Sequence, residues 1–204
     1  MKKYFLIYFK KDIIKQYPNY SKEKIEEIMY GIEGIYLTIT KCIIIFTIAL
    51  LLGIFKELIF LLIAFNIIRT FAFGMHASNS IVCLILSSLL FIGTTFLCKY
   101  ANMPNTLLYI LYIVSFIIIL LYSPADTVKR PLIKKKKRNR FKIISCFVTI
   151  LYFVISLIIK DRLIINSLIF GLLIECILIN PLTYKVFNMP YKNYISYDLN
   201  AKSD

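Results

Sequence analysis

"TLLYILYIVSFIIILLYSPADTVKRPLIKKKKRNRFK", residues 106–142, joins seventeen uncharged and almost wholly apolar residues to a segment holding nine lysines and arginines. At 1.5 Å per residue the apolar part extends about 25 Å as a helix, close to the thickness of a bilayer's hydrocarbon layer. A span that runs straight into a basic segment reads as a transmembrane helix ending at an anionic membrane face. Working outward, similar runs recur at about 35–54, 57–73, 79–97, 143–159 and 163–180. The expected fold class is therefore all-α, a polytopic membrane bundle of about six transmembrane helices forming one integral membrane domain. Asn66 and Arg69 interrupt the second run, so a short or re-entrant helix is the alternative there. Residues 1–34 lie before the first span. Their start, "YFLIYFKKDIIKQY" at 4–17, interleaves cationic with apolar and aromatic residues, as an interfacial amphipathic helix does.

Composition agrees. Hydrophobic residues make up 59% of 204, beyond the usual share of a soluble domain. The opening "MKKYFLIYFKK" has only six apolar residues between lysines and no small-residue cleavage site, which argues against a signal peptide. The formal net charge of +14 would suggest nucleic acid in a soluble protein, but beside membrane spans it records topology and contact with anionic lipid, so no nucleic acid is expected. With both termini in the cytoplasm, twenty of the 25 Lys and Arg fall on that side, including the nine of the basic loop 123–142. The tail 181–204 falls there too, and its residues after Pro190 suggest no task.

Five cysteines, Cys42, Cys83, Cys98, Cys146 and Cys176, stand singly, without C-x-x-C pairs, so neither a disulfide framework nor a zinc site is indicated. One histidine and no acidic cluster cannot furnish a metal centre, and no cofactor is expected. Counted inward from the cytoplasmic ends, Lys41, Asn66, Arg69, Cys83 and Glu175 lie within about 10 Å of that face. Polar groups at membrane depth usually face a bundle interior or a wet cavity. This suggests a polar cavity open to the cytoplasm with Lys41 and Glu175 as a possible pair; snorkelling of Lys41 and Arg69 is the plainer alternative.

The only histidine sits in "RTFAFGMHASNSIVC", residues 69–83. An imidazole beside a thiol makes a nucleophile and can return the proton to a leaving amine. On one continuous helix His76 and Cys83 would be separated by about 10.5 Å along the axis, too far for proton transfer. Residues 74–79 must therefore bend, with Gly74 supplying unusual dihedrals and Ser78 or Asn79 capping the helix that carries Cys83. Asp126 in "SPAD" is a candidate orienter of His76, although Pro124 and Asp126 read more readily as a helix stop and turn.

The ordered set Arg69, Gly74, His76 and Cys83, preceded by "YGIE" at 30–33 and followed by "YSPADTVKRPLIKKKKRNRFK", resembles the accessory gene regulator protein B (AgrB) family of Gram-positive bacteria over roughly residues 28–142. The resemblance implies a membrane-embedded cysteine endopeptidase that processes a quorum-sensing pro-peptide, with Cys83 as nucleophile and His76 as general base. It implies a partner of the AgrD type, with an amphipathic N-terminal helix and an acidic C-terminal segment. Arg69, Gly74 and the lysines Lys134, Lys135, Lys136 and Lys137 are then candidate substrate-binding residues, and the basic loop would guide the acidic segment toward Cys83. Many members carry two glycines before the histidine, where this chain has Phe73 and Gly74. A homodimer is a further expectation. The rival readings are a small transporter and a non-catalytic scaffold, in which Cys83 and His76 are structural.

Overall fold

The computed structural model describes residues 2–75, 80–127 and 132–195. Eight helices are found among them: α1 (Lys2–Gln16), α2 (Lys22–Leu51), α3 (Phe55–Ala72), α4 (Ser80–Tyr100), α5 (Asn105–Tyr122), α6 (Lys135–Ile158), α7 (Arg162–Ile179) and α8 (Pro181–Val186). An isolated parallel bridge joins Phe73 and Ala125. By length and composition α2, α4, α5, α6 and α7 are each apolar and long enough to cross a membrane. The protein is thus an all-helical, multi-pass membrane protein. Its α3 stands apart by composition because Lys56, Glu57 and Arg69 fall within its 18 residues, yet it is one uninterrupted helix about 27 Å long.

Two compact units divide the chain, Met1–Ile48 and Ala49–Asp204. In the first, α1 reaches the middle of α2, with the Phe5 ring 4.8 Å from that of Tyr36. The helix of the first span starts at Lys22, well before residue 35, because the "SKEKIEE" stretch supplies its own start: Ser21 Oγ accepts from the Lys24 N–H at 3.2 Å.

The second unit is an up-and-down bundle of α3–α7 with α7 at its centre. Ten of the 18 residues of α7 are buried, and α3, α4, α5 and α6 all pack on it. Its neighbours bury single stripes. In α5 the stripe is Leu108, Tyr112, Ser115 and Ile119, spaced four, three and four, while Ile113, Ile117 and Leu121 stay exposed. Such an apolar exterior suits lipid, not water. Within the bundle, polar groups tie helices together: Tyr152 donates to Ala64 O at 2.7 Å, Tyr112 and Ser156 share a bond of 2.6 Å, and Asn166 donates to Cys98 O and Ala101 O. One end of the bundle is made by residues 51–55, 100–105 and 158–162. The other gathers the C-termini of α3, α5 and α7 with the N-termini of α4 and α6.

The basic stretch differs from the expected loop. Its second half is helix: Lys134 is the N-cap of α6, and Lys135–Lys142 form its first two turns. Cations are unfavourable near a helix N-terminus. Lysine and arginine are nonetheless good helix formers, and Arg138 reaches back to donate to Leu132 O and Ile133 O, fixing the entry.

Candidate active site

At the second end of the bundle, α3 stops because two successive residues adopt positive φ. Phe73 has φ 63° and Gly74 φ 100°. The Phe73 N–H still donates to Arg69 O at 3.1 Å, after which the chain turns back under the helix end. Every backbone polar group of the turn at Gly74 and Met75 is then claimed. Gly74 N–H donates to Ala125 O at 2.8 Å, Met75 N–H donates to Leu178 O at 3.1 Å, and Ala125 N–H returns a bond to Ala72 O at 2.9 Å. The two carbonyls converge on one guanidinium: Arg69 Nη2 donates to Gly74 O at 3.1 Å and to Met75 O at 2.7 Å. Its Nη1 contacts Glu175 Oε2 at 3.3 Å. Glycine is required at 74, since a Cβ there would collide with the Arg69 guanidinium and come within 3.0 Å of Leu178 O.

Eight residues after Met75, Cys83 occupies the first turn of α4. It is half-buried and its thiol lies 3.9 Å from the Ser87 hydroxyl, which itself donates to Cys83 O. The expected helix break is present: α3 ends at Ala72 and α4 begins at Ser80. His76, Ser78 and Asn79 lie outside the described residues.

The other candidates separate. Glu175 is paired with Arg69, where depth counting had suggested Lys41; Lys41 belongs to α2 in the first unit. Asn66 is on an exposed face of α3 and donates to Leu62 O of its own helix at 2.7 Å, so it is satisfied locally. Lys134–Lys137 are exposed at the start of α6. Among the described residues no three His, Cys, Asp or Glu side chains converge as metal ligands.

Asp126 is buried and holds the C-terminal segment. Its carboxylate accepts from Asn193 N–H at 3.0 Å, Tyr194 N–H at 2.9 Å and, at the far limit, Leu132 N–H at 3.5 Å. Tyr184 donates to the carbonyls of Ala125 and Asp126. The Arg138 guanidinium lies 3.9 Å from the Tyr194 ring centroid. Burial pushes the Tyr191 phenol up to about 12, helped by nearby Tyr122, Tyr194 and Asp126, and raises the Tyr184 phenol as well. Among the described residues after Pro190, where the sequence suggested no task, Asn193 is buried and Tyr191 and Tyr194 are half-buried. No local pattern signals this, because the segment's partners lie nearly 70 residues upstream.

These features define a class: a polytopic helical membrane protein with a cysteine in the first turn of one helix and, next to it in sequence, a backbone turn clamped by an arginine. A family model, accessory gene regulator B, matches residues 7–179, and the chain belongs to that family. The chain is 37% identical over 172 residues to a putative AgrB-like protein of Clostridium acetobutylicum, covering 84% of this chain and 82% of the relative. It is 30% identical to a putative AgrB-like protein of Listeria innocua, with 84% of each covered. To the accessory gene regulator protein B of Staphylococcus saprophyticus it is 28% identical over 148 residues, 72% of this chain and 78% of that protein. No solved structure matches. Membership implies a role in accessory gene regulation and quorum sensing, in association with an AgrD-type pro-peptide.

Proposed function

We propose that this protein is a membrane-embedded cysteine endopeptidase that cleaves the C-terminal segment from an AgrD-type precursor and closes the remaining peptide into a ring. The observation that carries the reading is the ordered Arg69–Gly74–His76–Cys83 motif in a member of this family, with Cys83 in a first helical turn and the chain before His76 clamped. His76 takes the Cys83 proton, the thiolate attacks the scissile carbonyl, and the imidazolium returns the proton to the leaving amine. The product is an acyl-enzyme thioester. A thiol or hydroxyl within the bound peptide displaces Cys83 and forms a thiolactone or lactone, while an apolar surround that limits water favours ring closure over hydrolysis.

The end of the bundle bearing Cys83 also carries Arg69, Lys134–Lys137, Lys142, Lys185 and Lys192, against Lys56, Lys99, Lys160 and Arg162 at the other. By the positive-inside rule this end faces the cytoplasm. The exposed lysines 134–137 are suited to steer the acidic segment of the precursor and to touch anionic lipid.

The test is intact mass spectrometry of the lipid-reconstituted protein after incubation with its AgrD-type precursor, beside Cys83→Ala and His76→Ala. An adduct equal to the precursor minus its C-terminal segment, labile to hydroxylamine and absent from Cys83→Ala, is expected. Continued release of the segment by Cys83→Ala would sink the proposal.

A further inference from the structure

Arginine 69 does two jobs with one guanidinium, and the second depends on an acid 106 residues away. The carbonyls of Gly74 and Met75 are dipoles sharing a single Nη2. Alone they compete poorly with water for a full charge, and an arginine whose side chain is 14% exposed has the length to swing out and snorkel. Glu175 prevents that. Its side chain is completely buried on α7, so its carboxylate has no solvent alternative. One of its oxygens meets Arg69, and the other has no hydrogen-bond partner among the described residues. The mutual need of the two charges in a low-dielectric site keeps the guanidinium in place.

The placement of Glu175 sharpens the point. It lies three residues before Leu178, whose carbonyl accepts the Met75 N–H. The last turns of α7 thus hold the same two-residue turn by two routes, directly through Leu178 and indirectly through Glu175 and Arg69. The next residue in the chain is His76.

We propose that Glu175 is a positioning residue for the cysteine chemistry: by retaining Arg69 on the Gly74 and Met75 carbonyls, it fixes the point from which His76 is presented to Cys83. This rests on the His76–Cys83 reading, but the clamp itself is measurable without it.

Full-length protein in lipid is compared as wild type, Glu175→Gln, Glu175→Asp, Arg69→Lys, His76→Ala and the exchange Arg69→Glu with Glu175→Arg. Amide hydrogen exchange is read at Gly74 and Met75, and the rate of Cys83 alkylation by iodoacetamide is read against Cys42 in the same molecule. Glu175→Gln is expected to speed exchange at the two amides by about 100-fold, the scale of breaking one side of a buried pair. Alkylation of Cys83 should slow by roughly 10-fold as the imidazole loses its position, with Glu175→Asp intermediate. Arg69→Lys keeps a positive partner for Glu175 but not the fork, and should loosen the amides likewise; it carries the test if Glu175→Gln does not fold. The charge exchange remakes an ion pair while placing a carboxylate against two carbonyls, so it should not restore the amides. Wild-type protection of Gly74 and Met75 in Glu175→Gln, or recovery of protection in the exchanged pair, would overturn the proposal, the latter showing a merely structural ion pair. If His76→Ala leaves Cys83 alkylation at the wild-type rate, the His76–Cys83 reading fails, and the amide protection still decides whether Glu175 sets the turn.

Discussion

Phe73 stands where the resemblance leads one to expect the first of two glycines, and its backbone is one that suits a glycine. At φ 63° and ψ −117° it sits where glycine is at ease and a bulky side chain is not. Strain of this kind costs about 1–3 kcal/mol and persists only where surroundings overdetermine it. Here the Ala125 bridge on one side and the edge-on ring of Phe141, 5.1 Å away, on the other supply that constraint. Replacement by glycine and by alanine both remove the ring, so their difference isolates the backbone. Phe73→Gly is expected to be more stable than Phe73→Ala by about 1 kcal/mol, the reverse of the order in a helix. Thermal unfolding in detergent measures this, and a more stable alanine variant would contradict the left-handed backbone. The sequence made Gly74 readable as a turn, but it could not assign Glu175 to Arg69. Depth counting ranks Lys41 and Arg69 alike, and only the register of α7 against α3 chooses between them.

Helix ends, more than helix identities, are where sequence and structure part. Apolar runs locate α4, α5 and α7 to within a few positions because charge is costly at membrane depth and the few charged residues there, such as Glu175, do not break the run. The starts of α2 and α6 lie outside the apolar runs, since a helix continues into water as long as its residues favour helix. Consequently the lysines 134–137 form the cap and first turn of α6, a defined basic ridge. Reversing all four to glutamate should slow precursor cleavage severalfold while leaving membrane insertion intact; unchanged cleavage kinetics would remove the steering role. The segment after α8 is bound by Asp126, and a pH effect follows from Tyr191. Its phenol ordinarily titrates near 10 and is raised in the fold to about 12, so the folded state retains a proton that the unfolded chain releases. That contribution is full below pH 10 and is lost as pH rises toward about 12. Thermal stability should therefore fall more steeply over this interval in the wild type than in Tyr191→Phe, and parallel curves would show that Tyr191 is not the group responsible.

Across the second unit, α7 is the element on which site and fold meet. It supplies Glu175 and Leu178 to the clamped turn, and it packs on α3, the helix that ends in that turn. The closeness of the two helices depends on Gly171, where a Cβ would stand 3.0 Å from Phe65 N and 3.2 Å from Ala64 Cβ. Small residues facing each other allow such an approach inside a membrane, where packing replaces the hydrophobic effect as the force between helices. A methyl at 171 requires a shift of a few tenths of an ångström, which Ala64 and the α3 backbone are poorly placed to give. Gly171→Ala is expected to cost about 1–3 kcal/mol as an overpacked contact. Gly171→Leu should push α3 from α7 far enough to part Arg69 from Glu175. The two variants distinguish simple loss of stability from loss of the site. If the clamp depends on the α3–α7 spacing, amide exchange at Gly74 and Met75 accelerates in Gly171→Leu more than exchange in α5 and α6 does. Equal acceleration in all helices would instead mean that Gly171 supports the bundle as a whole and that the clamped turn has no special dependence on it.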